Sequence, residues 1–191
     1  HSLGGNICLR YTGIYPDSVR KLVAIEGLGP SPKMIAERGN KSMTERMTAW
    51  IDEQRMLAGR LPRRYPTIED AFKRMQEENK HLSAEQARHL TEQGVNQNED
   101  GTYSWKFDNY VRSWPPYDMP VAEVEGLWQR IACPTLLLYG KESWSSNQPD
   151  DGRARHFRQA KVATIERAGH WVHHDRLDEF LALTRTFLGG A

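Results

Sequence analysis

The chain of 191 residues has only two cysteines, Cys8 and Cys133, far apart in sequence. Two cysteines do not make a disulfide framework. This excludes the small stapled scaffolds and makes a reducing, cytoplasmic setting the expectation. Long hydrophobic runs are also missing: none approaches the roughly 20 apolar residues of a membrane helix, so no membrane partner is expected. Charge of one sign is not in excess. Twenty-six Lys and Arg against 25 Asp and Glu leave a net charge of +1, which supplies no electrostatic ground for binding nucleic acid. There is no internal repeat and no low-complexity tract. The mean hydropathy of −0.72 is polar for a compact enzyme, so part of the chain should form an exposed helical layer. The length suits one domain, or one domain with a large insertion.

What is present alternates between strand and helix. Residues 4 to 15 read as a helix carrying Ile7, Leu9, Tyr11 and Ile14, ended by Tyr15-Pro16-Asp17 because proline cannot continue it. Leu22-Val23-Ala24-Ile25 is a short apolar run of the kind buried on both faces of a parallel sheet. The character then changes. Residues 31 to 100 hold 12 basic and 12 acidic residues, and helices are expected near 42 to 58, 67 to 79 and 83 to 93. Thr67 with Asp70 and Ser83 with Gln86 look like helix starts. Asp100-Gly101 signals a hairpin turn before the alternating Tyr103 to Phe107. A helix over 121 to 130, a buried strand over 133 to 140, a helix over 150 to 159, a strand over 162 to 165 and an amphipathic helix over 175 to 188 complete the pattern. This order predicts an α/β fold with a parallel sheet, whose ligands sit at the carboxyl ends of the strands.

Candidate chemistry falls at those ends. His1-Ser2-Leu3-Gly4-Gly5 reads as a Gly-x-Ser-x-Gly nucleophile elbow entered one residue late, so the sequence carries no information on a leader peptide. Such an elbow lifts a serine hydroxyl above the sheet edge, and small residues follow because the helix packs close to the strand. The competing reading of Ser2 is an ordinary helix cap. His170 follows the last strand directly, where the competing reading is a surface histidine. His170, His173 and His174 have a spacing that could hold a metal, but no cysteine or carboxylate motif joins them, and no metal is expected.

Ser2-Leu3-Gly4-Gly5, the stretch Ile131 to Gly140, and Gly169-His170 before a terminal helix together resemble the α/β-hydrolase superfamily. The resemblance covers residues 1–30 and 121–191, the C-terminal part of such a core with three strands. It implies that residues 31–120 are an inserted, mainly helical cap. It implies the order nucleophile, acid, histidine, with Ser2 as nucleophile, His170 as base, and the backbone N–H of Leu3 in the oxyanion hole. The superfamily usually places its aspartate three residues after the glycine here numbered Gly140, but that position is Ser143. Glu26, at the end of the strand after the elbow, is the favoured substitute. Glu142 is the second, and Asp118 is weighed behind both.

The expected function is therefore hydrolysis of a small or medium carboxylic ester through an acyl-enzyme, without a cofactor. A carbon–carbon bond hydrolase and a non-catalytic, receptor-like ligand binder on the same fold are the alternatives. The apolar residues of the insertion, among them Met43, Met47, Trp50, Met56, Phe72, Met75, Trp105, Phe107 and Trp114, are expected mostly to pack the cap's own core and in part to line an apolar pocket. With only three strands to bury the sheet core, residues 1–191 alone are expected to be poorly stable. Oligomeric state is not legible.

Overall fold

A computed structural model of the chain describes residues 1–145 and 151–189. In chain order its elements are α1 (Leu3–Ile14), β1 (Leu22–Ile25), α2 (Pro32–Gly39), α3 (Met43–Ala58), α4 (Ile68–Glu78), α5 (Ala84–Gly94), β2 (Val95–Gln97), β3 (Tyr103–Trp105), α6 (Val121–Arg130), β4 (Thr135–Gly140), β5 (Ala160–Ile165), α7 (Val172–Asp175) and α8 (Leu177–Gly189). They form two compact units. One comprises His1–Gly39 and Met119–Ala191; the other is Asn40–Asp118. The helix α2, inside the stretch expected as cap, clusters with the sheet unit.

The first unit is built on a three-stranded parallel sheet in the order β1-β4-β5. β4 lies in the middle and is buried along its whole length, which is why its sequence reads Leu136-Leu137-Leu138 without polar alternation. Successive side chains still point to opposite faces. Leu137 and Tyr139 join Leu9, Ala24, Trp128 and Ile131 on one side. Leu136 and Leu138 join Ile25, Ile165 and Val172 on the other, with Phe180, Leu183 and Phe187 of α8 packed against them.

α1 packs on β1 by a face the apolar pattern showed only at Leu9. Its buried residues are Gly5, Leu9, Thr12 and Gly13, whereas Ile7, Tyr11 and Ile14 are exposed. Close approach needs small residues more than apolar ones: a Cβ on Gly5 would lie 2.9 Å from the Cα of Gly27.

Three other expectations are corrected. The helix over 150 to 159 is only a 3-10 turn, Arg153–His156, residue 150 lying outside the described residues. Arg153 turns inward there, donating to Asp151 and to the carbonyls of Leu28, Gly29 and Pro30, and Gly152 before it is left-handed (φ 79°). Those side-chain bonds compete with continued helix. The last strand starts two residues early, at Ala160. The terminal helix starts two residues late, at Leu177, with the separate short α7 before it and Arg176 (φ −138°, ψ 60°) between them.

The second unit stands by itself on a small core of Tyr65, Ala71 and Val95, with Ile68, Tyr103 and Trp105 packed on it. β2 and β3 pair antiparallel; of this hairpin only the second strand was legible. Ser42–Glu45 and Ser83–Gln86 form reciprocal capping boxes, and Thr67 caps α4 through the N–H of Asp70. Phe72 is buried, but Met43, Met56, Phe107 and Trp114 are exposed rather than packed in the unit's own core. Among the described residues no helix is long and apolar enough to cross a membrane.

Candidate active site

Ser2 sits where the chain enters α1. Its backbone takes φ 51°, ψ −120°, a region that costs a residue with a Cβ on the order of 1–3 kcal/mol and that clusters at functional sites. The strain is held by the Ser2 N–H donating to Ile25 O at 2.8 Å and by the Asn6 N–H donating to Ser2 O at 3.0 Å. The hydroxyl makes no capping bond to the helix, so Ser2 stands at the cap position without acting as one. Leu3 is the first residue of α1, at the end where backbone N–H groups have no helical partner.

Glu26 follows β1 and is also strained, with φ 52°. Its side chain is fully buried. A buried carboxylate must be hydrogen-bonded to be tolerated, and each oxygen here is. Oε1 accepts from the Gly140 N–H at 2.8 Å. Oε2 accepts from the Ser143 hydroxyl at 3.0 Å and from the Ser145 hydroxyl. Ser143, at the position where the superfamily usually has its aspartate, thus points its hydroxyl at the glutamate.

His170 lies in the loop after β5, 8% exposed. Its Nδ1 is 3.5 Å from Glu26 Oε2. That is ion-pair distance and too long for a formed hydrogen bond, and Nδ1 has no other hydrogen-bond partner among the described residues. Resting geometries of this kind are commonly loose before substrate binds. The loop is fixed by Gly169 N–H donating to Asp175 Oδ2 at 2.8 Å and by Glu142 N–H donating to Ala168 O at 2.9 Å. It crosses the end of β4 so closely that a Cβ on Gly140 would strike the carbonyls of Ala168 and Gly169. Glycine is required there for the approach, not for its backbone angles. Trp144 and Trp171 flank the imidazole, at ring-centre distances of 4.7 and 5.8 Å.

The structure therefore brings Glu26 and His170 together at the carboxyl ends of the strands, with Ser2 bonded to the end of β1. Glu142 is placed on the exposed turn after β4, and Asp118 belongs to the other compact unit. Three side chains had no assigned part in the sequence reading. Ser143 and Ser145 bind the glutamate, and in sequence Ser143 signals only the absence of the usual aspartate. His1, next to Ser2, carries no role on sequence grounds; its ring contacts those of His170 and His173.

His173 and His174 lie in the short α7. Burial, and next the neighbouring His174, lower His173 to a pKa of about 4. Among the described residues no group of three or more His, Cys, Asp or Glu is arranged to hold a metal ion. Tyr139, near Glu26, has its phenol pushed far up, by burial first of all, and so does not exchange protons at working pH.

Comparison with known proteins agrees with this architecture. The chain is 29% identical over 197 residues to Esterase YbfF of Escherichia coli (strain K12), a match covering 98% of this chain and 65% of that protein. Among solved structures it resembles the thioesterase domain from the curacin biosynthetic pathway (TM-score 0.74, 21% identity, 96% of this chain and 63% of that one). It also resembles the hypothetical protein PA1622 from Pseudomonas aeruginosa PAO1 (TM-score 0.79, 19% identity, 99% and 64%) and the M. tuberculosis esterase Rv0045c (TM-score 0.72, 18% identity, 98% and 60%). At these identities the structural likenesses speak to the fold. The chain spans just under two thirds of the length of these relatives. The family model described as the alpha/beta hydrolase family matches residues 1–183, and the chain belongs to that family.

Proposed function

We propose that the chain carries the catalytic residues of a serine hydrolase acting on small or medium carboxylic esters. The carrying observation is the strained, uncapped Ser2 in the same compact unit as a buried Glu26 carboxylate 3.5 Å from His170 Nδ1. A serine hydroxyl is a weak nucleophile unless a neighbouring base takes its proton. In this reading His170 Nε2 removes the Ser2 proton as Oγ bonds to the acyl carbon, and Glu26, facing Nδ1, holds the ring and balances the imidazolium charge. The Leu3 N–H binds the oxyanion. Collapse expels the alcohol, protonated by His170. Water then attacks the acyl-enzyme by the same route and releases the acid. No cofactor enters these steps. The name of the E. coli relative, an esterase, supports the substrate class, and the Asn40–Asp118 unit, within the insertion 31–120, is read as the cap.

The test is intact mass after exposure of the full-length protein to a fluorophosphonate, wild type beside Ser2→Ala. A single adduct on wild type and none on Ser2→Ala is the expected result, to be followed by short- and medium-chain esters. An unlabelled wild type would overturn the reading and turn attention to ligand binding without turnover.

A further inference from the structure

His1 touches both halves of the proposed site. Taken as the donor, its Nε2–H bonds the backbone carbonyl of His170 at 2.9 Å. Its ring lies 4.7 Å from the His170 ring, tilted 56°, and 4.8 Å from the His173 ring, tilted 59°. The backbone of His1 is no freer than that of Ser2, to which it is joined: the Ser2 N–H is held by Ile25 O, and the Gly5 N–H donates back to His1 O at 3.3 Å. Two further bonds of the histidine loop run to Asp175 and Glu142. Neither reaches the elbow. A carbonyl only accepts, so the contact also fixes the tautomer: the His1 proton sits on Nε2.

We infer that His1 is a positioning residue for the reaction. It is a strut of one side chain that sets how far, and at what angle, the His170 imidazole stands from Ser2 Oγ. This inference rests on the reading of Ser2 and His170 as nucleophile and base. Displacing a catalytic group by about 1 Å costs on the order of 100-fold in rate while leaving substrate affinity largely alone. A strut of this kind therefore shows in kcat and in the reactivity of the serine, not in KM.

The experiment compares His1→Phe, which keeps a ring and loses the donor, with His1→Gln, whose amide nitrogen can replace Nε2. Both are made in the full-length protein beside Ser2→Ala. The readouts are kcat, KM, the rate of fluorophosphonate labelling and the melting temperature. For His1→Phe we expect kcat and labelling rate to fall about tenfold or more with KM within about twofold, and for His1→Gln to recover most of that loss. Wild-type kcat in His1→Phe would overturn the inference. So would equal losses in both variants tracking a lowered melting temperature, which would mark a packing role only. Should His1→Phe fold poorly, labelling rate per folded molecule in His1→Gln against His1→Ala decides instead: a faster Gln variant supports the strut, equal rates overturn it. Turnover and labelling that persist in Ser2→Ala would overturn the serine-hydrolase reading itself, and this inference with it.

Discussion

A carboxylate as buried as that of Glu26 survives only if its oxygens are bonded, and the bonds it makes decide what it can do. Gly140 N–H occupies Oε1, and two serine hydroxyls share Oε2 with the approaching His170 ring. Ser143 and Ser145 own one hydroxyl proton each, and their oxygens also lie 3.0 Å apart. Two protons cannot serve three contacts, so an ionised Glu26 draws both and the serine–serine contact is left without one. Glu142, on the exposed turn, has no such surroundings. The two carboxylates separate by substitution. Glu26→Gln is expected to lower kcat about a thousandfold or more, as loss of a triad acid does, and Glu142→Gln to leave it within about twofold. Steady-state kinetics on an activated ester, with melting curves to confirm folding, would measure both. The opposite ranking would move the acid to Glu142.

Among the elements, the contact that governs the site is that of α1 with the turn after β1. Gly5 and Gly27 meet backbone to backbone, and this contact sets the distance between the serine elbow and Glu26. A methyl group at position 5 cannot be absorbed by a side-chain rotation, because what it meets is main chain. Gly5→Ala should cost about 1–3 kcal/mol by overpacking, and because the turn that must yield carries Glu26, the proposed activity should fall further than the loss of folded protein accounts for. Urea unfolding with activity measured per folded molecule tests this, and a stable, fully active Gly5→Ala would show that the turn gives way without moving the acid. The same logic explains why α1 was legible as a helix and not as a face. Of the apolar residues in the pattern only Leu9 is buried; Ile7, Tyr11 and Ile14 are exposed, and Gly5, Thr12 and Gly13 share the packing face with Leu9.

For the molecule as a whole, one histidine links protonation to stability. Burial first, then the neighbouring His174 and also His170, lower His173 from 6.5 to about 4. The folded pKa is below the unfolded one. Above pH 6.5 the site is neutral in both states and stability is complete. As pH falls from about 6.5 to 4 the unfolded chain takes up a proton that the folded chain refuses, and stability is lost over that window. The melting temperature of wild type should therefore drop across it, and His173→Leu should show a smaller drop. Parallel losses in the two proteins would remove His173 as the cause.

The family, the parallel sheet and its strands, the chain order of Ser2, Glu26 and His170, and several capped helices of the insertion could be read from residue order. Local chemistry specifies the strands and the capped helices through a proline or glycine stop, a serine cap or an unbroken apolar run, while the family and the order of Ser2, Glu26 and His170 come from the resemblance to α/β hydrolases. The 3-10 turn in place of a helix at 150 to 159, β2 and the buried face of α1 were decided by tertiary contacts, because each depends on what a distant segment presents. The choice between Glu26 and Glu142 as the partner facing His170, and the contact of His1 with the histidine loop, belong to the same kind. They join residues more than a hundred positions apart, which meet where the loop crosses close over Gly140: Glu26 and His170 at ion-pair distance, His1 and the His170 carbonyl at hydrogen-bond distance.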